Sequence, residues 1–354
     1  MTTQPPKQWN GLKQPPTHSP SKKDPSSTND TQKSSAYPLV TLDQRVPLTL
    51  GATSDIHTTD LTEPCLRKVL LRHEEKTEPI AQTALFRGLL AGKVLEHLHE
   101  WNSLDDSIEF VKSESVNMLV AELAAEGRQI SDSVEKNIEA IQGEVIQMAE
   151  LYAKRFMPLF SKCEVLGTEL PCRVTIDGIR FASHLDLMVR DTHNTFGYGE
   201  NRLLIIDWKW RQDAPTRAYL ARNYQFYMYW LSALEGSILT YPAFDGWVKY
   251  EENAQLLWFH LPYLAPFKRK TTCKNENGDD VFFAKGDERP INNILRPVNY
   301  KIECVKQMRE DLTERVKTMR SGFFPKSPDP VRCQVCDARE FCTRGDTPEL
   351  LENQ

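Results

Sequence analysis

The sequence predicts an α/β or α+β fold, because two kinds of periodicity occur in one chain. Apolar side chains recur at helical spacing between about residues 84 and 160. Between about residues 163 and 190 they alternate with polar side chains, as they do in strands. A buried strand and further helices follow, so the predicted core combines a sheet with helices.

The composition is that of a globular protein. The chain has 354 residues, of which 40% are hydrophobic and 26% charged, and its net charge is -5. These values exclude collagen-like, wholly disordered and integral membrane proteins. No apolar run reaches the roughly 18 residues that span a membrane, and the N-terminus lacks the apolar core of a secretory signal. We therefore expect a protein of the cytoplasm, or of the host cytoplasm if it is viral.

Two regions are predicted along the chain. Residues 1–45 form a disordered tail, since the first 36 residues contain six prolines and only Trp9 and Leu12 as large apolar side chains. Residues 46–354 form a single folded domain. Its first long helix is predicted over residues 84–101, where Gly88 and Gly92 share one side and allow another backbone to approach.

The remaining elements are predicted in order along this domain. A helical insertion occupies about residues 105–160. A hairpin follows over residues 163–191, with its turn at Asp177-Gly178. The segment LLIIDWKW, residues 203–210, is a buried strand that ends in polar residues. The last predicted elements are a long helix over 216–236 that ends at Gly236, strand structure within 247–263, and a helix over 298–322.

Acidic and basic side chains collect on the hairpin and on the strand after it. Asp186 lies in the second hairpin strand, and Asp207 and Lys209 lie at the end of the next strand. Residues two apart in a strand face the same side, so Asp207 and Lys209 point together, and a neighbouring strand brings Asp186 toward them. Two carboxylates form a site for a hard divalent cation such as Mg²⁺. The lysine can orient an attacking water or stabilise a phosphate.

Three of the eight cysteines are clustered. Cys333, Cys336 and Cys342 have the spacing C-x2-C-x5-C, which allows three thiolates to bind one metal centre, with a fourth ligand from elsewhere. Zinc and an iron–sulfur cluster are the two alternatives. Zinc is the less favoured one, because neither a second C-x2-C pair nor a histidine at short spacing is present.

The acidic pattern resembles the active-site motif of the PD-(D/E)XK nuclease superfamily. Asp186 matches the first acid of that motif, and Asp207-Trp208-Lys209 matches its acid-any-lysine triplet. The sequence departs from the family at Ser183, where the family often has a glycine three residues before the first acid. Ser183 is also small, so it is expected to fit the same space.

Two further motifs resemble those of the Cas4/RecB/AddB-like exonuclease branch. Gln225 and Tyr229 match the Q-x-x-x-Y of the helix after the triplet. Gly92 and Glu96 match G-x-x-x-E in the helix before the sheet, which implies that Glu96 is a third metal ligand. His97, one residue after the position of the histidine form of this motif, is the second choice.

The resemblance implies a fold and two cofactors. The fold is a restriction-endonuclease-like core, in which helices flank a mixed central sheet. Mg²⁺ or Mn²⁺ would be held by Asp186, Asp207, Glu96 and the main-chain carbonyl of Trp208. A [4Fe–4S] cluster would join Cys65 to the cysteines at 333–342 and staple the start of the domain to its end.

The implied activity is that of a DNA exonuclease, which hydrolyses phosphodiester bonds at DNA ends or in single strands. Such enzymes act in recombination, repair, phage replication or CRISPR adaptation. Lys209 would position the water or the phosphate, Gln225 would hold the lysine or the DNA, and Tyr229 would support the helix. Three arginines after the triplet are expected to bind phosphates: Arg211, Arg217 and Arg222.

Other interpretations stay open at this point. No G-x-x-x-x-G-K-[ST] motif is present, so DNA unwinding requires a helicase or recombination partner. One alternative is a catalytically idle DNA-binding or scaffold protein that keeps the nuclease fold. The other is a zinc-stapled interaction protein in which the Asp-x-Lys triplet occurs by chance.

Overall fold

The computed structural model describes most of the predicted domain. The described residues are 56–57, 65–66, 68, 83–125, 130–176, 178–211, 214–239, 247–274, 280–300 and 302–320. The helices are α1 (Thr83–Trp101), α2 (Leu104–Phe110), α3 (Val116–Ala125), α4 (Asp132–Glu135), α5 (Ile138–Arg155), α6 (Met157–Phe160), α7 (Arg217–Leu220), α8 (Tyr224–Leu234), α9 (Ile291–Ile294) and α10 (Ile302–Arg320). The strands are β1 (Ile56–His57), β2 (Glu164–Ile176), β3 (Ile179–Asp191), β4 (Arg202–Lys209), β5 (Ser237–Leu239), β6 (Trp247–Val248), β7 (Gln255–His260), β8 (Thr271–Lys274), β9 (Asp280–Phe283) and β10 (Leu295–Val298).

A mixed sheet forms the centre of the described fold. Its strand order is β10-β7-β4-β3-β2-β5-β6, and β1 pairs with β3 beside this path. The pairs β4–β7 and β1–β3 are parallel, whereas the others are antiparallel. The predicted hairpin is present as β2–β3, and Gly178 in its turn has a φ of +75°, which favours glycine. Such a sheet with helices on both sides is consistent with the expected restriction-endonuclease-like core.

Helices cover both faces of this sheet. On one face, α1 and α5 pack with Phe156 against Phe259 of β7. On the other face, α8 packs with Phe226 and Tyr229 against Trp258 of β7. Strand β4 lies between neighbours on both sides and is buried from Leu203 to Trp208. Neighbouring strands therefore hold the C-terminal end of β4 in place, and side chains at this end can form a site. All the described elements belong to one unit of the chain, residues 42–354.

The segment predicted as a helical insertion is helical, but it is broken into several pieces. Helices α2 and α3 are joined by a π-helical turn at Val111–Ser115, and α4, α5 and α6 follow. The segment is not an appendage, because Tyr152 of α5 and Phe156, which directly follows α5, are fully buried. Burial of each such ring contributes roughly 1.5–3 kcal/mol. Residues 105–160 thus form the helical layer over one face of the sheet.

The prediction of one long helix over residues 216–236 is wrong. The chain forms α7 and then α8, and the break between them is at Asn223. The Asn223 side chain accepts a hydrogen bond from the Phe226 amide at 3.2 Å, which caps a new helix N-terminus. Thr216 caps α7 in the same way, since its hydroxyl accepts from the Tyr219 amide at 3.1 Å. Apolar periodicity alone does not show such a capped break.

Two more predicted elements have different bounds in the structure. The strand structure within 247–263 is divided between β6 and β7, and a 3-10 turn at Leu261–Leu264 ends it. The helix predicted over 298–322 begins later, at Ile302, because residues 295–298 pair with β7 as the edge strand β10. Pro297 fits there, since an edge strand leaves one side without backbone partners. The β8–β9 hairpin was not predicted.

Among the described residues, no other backbone lies close to Gly88 or Gly92 of α1. A Cβ atom at Gly92 would meet nothing within 4 Å, and one at Gly88 would meet only the Trp210 Cβ, at 4.0 Å. The close approach that these glycines allow is therefore not made by any segment that the structure describes.

Some predictions fall outside the described residues. They are the disordered tail over residues 1–45, the cysteine cluster at 333–342, and the stop of the last helix at Gly322. Within the part of the chain that the structure describes, no helix has the length and apolarity needed to cross a membrane.

Candidate active site

The C-terminal end of β4 carries a buried acid beside a partly exposed lysine. Lys209 Nζ lies 2.7 Å from Asp207 Oδ1, as the same-side periodicity of a strand predicts. The Asp207 side chain is fully buried, whereas the Lys209 side chain keeps 26% of its exposure. Burial lowers the pKa of Lys209, but the charges of Asp207 and Asp186 together raise it by more. The net pKa is therefore raised, and the ammonium stays charged.

Asp186 is fixed next to this pair by the backbone of β4. Its Oδ2 accepts a hydrogen bond from the Trp208 amide at 2.7 Å. The β3–β4 ladder pairs Leu187 with Ile206 and does not continue toward Asp186. The Trp208 amide thus donates to the Asp186 carboxylate and not to a carbonyl of β3. This hydrogen bond keeps Asp186 close to Asp207 on the adjacent strand.

The sheet is distorted where Asp186 lies. The β2–β3 register puts Glu169 opposite Asp186. Leu185 packs on the α8 face and Leu187 on the α1 face, although residues two apart in a regular strand share a face. Glu169 has a φ of +45°, a conformation that costs a residue other than glycine about 1 kcal/mol or more. At this distortion, around Glu169 and Asp186, the strands do not follow the regular alternation between the two faces of the sheet.

Glu169 is a site residue that sequence reasoning missed. Burial and the charge of Glu96 raise its pKa to about 7, and Asp207 adds to this effect. Only a weak signal was present, namely an acid between apolar residues in the segment Leu166–Leu170. Its position beside the triplet depends on strand pairing, which the residues of β2 alone do not show.

Four carboxylates share the region, and their pKa values rise together. Burial, and then the charge of Asp207, raise the pKa of Asp186 well above its usual range. Burial also raises the pKa of Asp207, although Lys209 opposes this. Burial raises the pKa of Glu96, with Lys93 at 3.7 Å as the opposing cation. Burial and mutual repulsion therefore favour the protonated forms of these carboxyl groups, and a bound cation would favour their charged forms.

A hydrogen-bonded chain from α8 braces Asp207. Gln225 Nε2 donates to the Tyr229 hydroxyl at 2.6 Å, and this hydroxyl donates to Asp207 Oδ1 at 3.4 Å. Tyr229 is 1% exposed, and burial raises its pKa well above its usual range, so the hydroxyl keeps its proton. The structure thus places Gln225 against Tyr229 rather than against Lys209.

The donor chemistry of this region fits a divalent cation. Oxygen ligands with excess negative charge suit Mg²⁺ or Mn²⁺. Asp207 Oδ2 is buried and has no hydrogen-bond partner among the described residues, as a carboxylate oxygen reserved for a cation would be. The enclosing geometry is not formed in this conformation, since no three His, Cys, Asp or Glu side chains of the described residues are grouped to hold a metal ion.

Comparison with known families accounts for this arrangement. Residues 60–343 match the family model of the PD-(D/E)XK nuclease superfamily. The chain belongs to the PD-(D/E)XK nuclease superfamily. Membership indicates nuclease activity and DNA as the binding partner. The matched range includes the helical layer over residues 105–160. No curated protein matches the sequence.

The structure separates the two residues considered for the third ligand of this PD-(D/E)XK site. Glu96 lies close enough to raise the pKa of Glu169 through its charge. The His97 ring stacks on Trp101 at 4.7 Å and on Phe110 at 4.5 Å between ring centroids, and its Nδ1 lies 3.1 Å from Ser107 Oγ. His97 therefore packs into the helical layer, whereas the charge of Glu96 acts on Glu169 in the acidic region.

Trp208 and Cys65 are two further expected site residues of this PD-(D/E)XK protein, and their surroundings differ. The Trp208 side chain is buried among the helices of the α1 face, so only its main chain reaches the site. The Cys65 thiol is half-buried and free of a disulfide. Its three expected partners, Cys333, Cys336 and Cys342, lie outside the described residues.

Three exposed arginines follow β4. Arg211 Nη1 donates to the Tyr219 hydroxyl at 3.3 Å, and Tyr219 is itself 46% exposed. Arg217 in α7 and Arg222 after it also face solvent. Within the described residues none of these arginines has an acidic partner, so their charges are available to an anionic ligand.

Proposed function

We propose that this PD-(D/E)XK protein is a metal-dependent deoxyribonuclease that acts as an exonuclease on DNA ends or single strands. The observation that carries the proposal is the group of Asp186, Asp207 and Lys209 on two adjacent strands, with Nζ of the lysine 2.7 Å from Asp207. Hydrolysis of a phosphodiester is accelerated by bound cations and by a charged hydrogen-bond donor at the phosphate oxygens. This group supplies both.

We propose Mg²⁺ or Mn²⁺ as the cofactor, held by Asp186, Asp207 and Glu96, with the Trp208 carbonyl as a further ligand. The unpartnered Oδ2 of Asp207 and the nearby carboxyl group of Asp186 support this choice. A bound divalent cation supplies Lewis acidity toward phosphate oxygens and lowers the pKa of water.

The protein's own residues position the reacting groups. Lys209 is charged and partly exposed, so its ammonium can donate to the attacking water or to a phosphate oxygen and stabilise the charge that develops there. Asp207 fixes the direction of this ammonium. Tyr229 and Gln225 in turn fix Asp207, which keeps the donor in place during the reaction.

The DNA strand is proposed to pass the exposed Arg211, Arg217 and Arg222, which bind its phosphates. The resemblance of the Glu96 and Gln225 motifs to the Cas4/RecB/AddB-like branch supports a role in recombination, repair, phage replication or CRISPR adaptation. A helicase or recombination partner would supply unwinding.

We also propose that Cys65, Cys333, Cys336 and Cys342 bind a [4Fe–4S] cluster. The C-x2-C-x5-C spacing and the free, half-buried thiol of Cys65 support this assignment. Such a cluster would close a very long loop and so reduce the entropy of the unfolded chain.

A second candidate function is a catalytically idle DNA-binding or scaffold protein. One observation favours it, namely that the acidic side chains of the described residues are not grouped around a metal position. This candidate predicts DNA binding without metal-dependent cleavage.

A cleavage assay decides between the two candidates. Single-stranded DNA labelled at its 5′ or 3′ end is incubated with the protein in Mg²⁺, Mn²⁺ or EDTA. We expect metal-dependent cleavage that falls by at least about 100-fold in Lys209→Ala. The matched control is Lys136→Ala, at an exposed lysine of the helical layer, which should cleave like the wild type. Equal inactivity of a folded wild type and Lys209→Ala would favour the idle protein.

A further inference from the structure

We propose that the β8–β9 hairpin and the basic triplet Lys268–Lys270 before it form a single-strand-binding arm beside the active site. The triplet would bind backbone phosphates, and Phe282 of β9 would stack on a base. The inference rests on the proposed function for the identity of the strand, which is single-stranded DNA.

The basic side chains of this arm are exposed, and they lack acidic partners among the described residues. Lys268, Arg269 and Lys270 all face solvent, as does Lys285 after β9. Within the described residues none of these four has an acidic partner. Phe282 is 68% exposed, the largest exposed fraction among the large hydrophobic side chains that the structure describes. Cations next to exposed rings are the usual composition of single-strand-binding surfaces.

Within the described residues, three acidic side chains next to the arm have partners of their own. Glu288 forms an ion pair with Arg155 at 3.4 Å. Asp287 accepts a hydrogen bond from the Ala284 amide at 2.6 Å. Asp280 also has an interaction partner. Lys268, Arg269 and Lys270 pair with none of these three, so their charges can act on an external anion.

The base of the arm is firmly attached to the core, so its exposed residues are held in place. Phe283 stacks on Phe267 at 4.8 Å between ring centroids. The guanidinium of Arg289 lies over the rings of Phe267, at 4.2 Å, and Tyr263, at 4.0 Å. Because neighbouring residues of a strand face opposite sides, Phe283 anchors the hairpin and Phe282 points away from it.

The path of the chain brings this arm to the active-site edge of the sheet. Strands β4 and β7 are parallel, and Lys209 pairs with His260 at their common C-terminal end. Adjacent strands lie about 4.8 Å apart. The eight residues from His260 to Lys268 span at most about 28 Å. A strand of about eight nucleotides, at 3.4 Å per nucleotide, covers even this upper limit, so one strand can contact both places.

Positive charge also occupies the space between the active site and the arm. Burial and then the charges of Arg296, Arg289 and Arg211 together lower the pKa of His260 to about 4. The Tyr263 ring, which contacts His260 at 4.2 Å between centroids, lies against the guanidinium groups of Arg289 at 4.0 Å and Arg296 at 6.0 Å. Arg211 is also among the proposed phosphate ligands, and Arg289 belongs to the base of the arm. A strand that leaves the active site toward the hairpin thus meets cations along its path.

Binding in EDTA tests the arm without cleavage. A fluorescent single-stranded 30-mer is titrated with the wild type and with Lys268→Gln/Arg269→Gln/Lys270→Gln over a range of salt. The slope of log affinity against log salt should fall by about 2, since each lost phosphate contact removes about 0.7. The control Lys112→Gln/Lys136→Gln/Lys306→Gln removes three exposed lysines elsewhere and should keep the wild-type slope. An unchanged slope in the arm variant overturns the proposal.

The aromatic contact has its own test. Phe282→Ala should weaken binding of the 30-mer by about 5- to 150-fold, whereas Phe282→Tyr should bind like the wild type. Wild-type affinity of Phe282→Ala would overturn the stacking contact. All these positions are exposed, and melting temperatures equal to that of the wild type verify folding.

Cleavage separates failure of the arm from failure of the proposed function. In Mg²⁺ or Mn²⁺, the arm variant should show a raised KM and unchanged kcat on the 30-mer. Wild-type KM on the 30-mer would overturn the arm while the nuclease stands. A wild type that never cleaves but binds through the arm would overturn the nuclease while the arm stands.

Discussion

The environment of single residues determines what the site can do. Asp207 is fully buried, and its two oxygens differ, since Oδ1 faces Lys209 and Tyr229 while Oδ2 has no partner among the described residues. A carboxylate held in this way has one oxygen for orienting the lysine and one for a cation. Tyr229 acts on this acid through its hydroxyl, and Glu169 acts on the neighbouring Asp186 through its charge.

Tyr229→Phe removes the hydroxyl that links Gln225 to Asp207. We expect kcat to fall about 5-fold, because a neutral hydrogen bond contributes about 1 kcal/mol, with little change in KM. Tyr227→Phe is the matched control on the same helix, since the Tyr227 hydroxyl donates to the Val305 carbonyl at 3.3 Å, away from the site. Equal losses in the two variants would contradict a bracing role for Tyr229.

Glu169→Gln should change the pH dependence of stability in EDTA. The folded protein keeps the Glu169 proton up to about pH 7, whereas an unfolded carboxyl releases it near pH 4.5. The free energy of unfolding of the wild type therefore falls as pH rises through this window. We expect the variant to be about 1–3 kcal/mol more stable than the wild type at pH 8 and nearly equal at pH 5. Urea unfolding at both pH values measures this, and parallel pH profiles would refute it.

At the scale of elements, capping and close packing position the helix that braces the site. Asn223 starts α8 three residues after α7 ends, which sets the direction from which Tyr229 enters. At the other end, Gly236 lies against β2, where a Cβ atom would overlap the Arg173 carbonyl oxygen. The glycine is needed here because it has no side chain. Its backbone conformation does not require glycine, since its φ is not in the left-handed region.

Gly236→Ala should destabilise the protein by about 1–3 kcal/mol, because the backbones of α8 and β2 must separate. Gly143→Ala in α5 is the opposite control. Gly143 is exposed within a helix and a Cβ atom there would meet nothing within 4 Å, so alanine should stabilise by about 0.5–1 kcal/mol. Chemical denaturation of both variants checks the contrast, and a neutral Gly236→Ala would show that the contact is loose.

At the scale of the whole molecule, the proposed cluster would join Cys65 to residues 333–342, which are distant in sequence. The domain would then depend on a metal centre that is separate from the catalytic one. Iron content and catalytic metal dependence are accordingly expected to respond to different substitutions.

Cys336→Ser should lose the cluster and lower the melting temperature. Wild-type protein purified without oxygen should contain about four iron atoms and four acid-labile sulfides per chain, as a [4Fe–4S] cluster requires. Cys304→Ser is the control, because Cys304 is a half-buried free thiol outside the proposed ligand set. Zinc in place of iron would reject the cluster and support the zinc alternative.

Much of the core could be predicted from local patterns. The hairpin at 163–191 and the helix at 84–101 follow from apolar periodicity and turn residues, which act over a few positions. The pairing of Asp207 with Lys209 follows from the strand period alone. The single helix over 216–236 failed for a local reason as well, since the capping side chain of Asn223 outweighed continuous apolar spacing.

By itself the sequence determined the order of most elements, the spacing of the Asp-x-Lys triplet and the family to which they belong. Tertiary structure alone decided that Glu169 lies opposite Asp186 in a distorted ladder, that Tyr229 binds Asp207, and that Lys209 lies beside His260 at the end of β7. Periodicity within one segment fixes which residues share a face. Contacts between segments depend instead on strand register and on the packing of helices against the sheet, which no single segment contains.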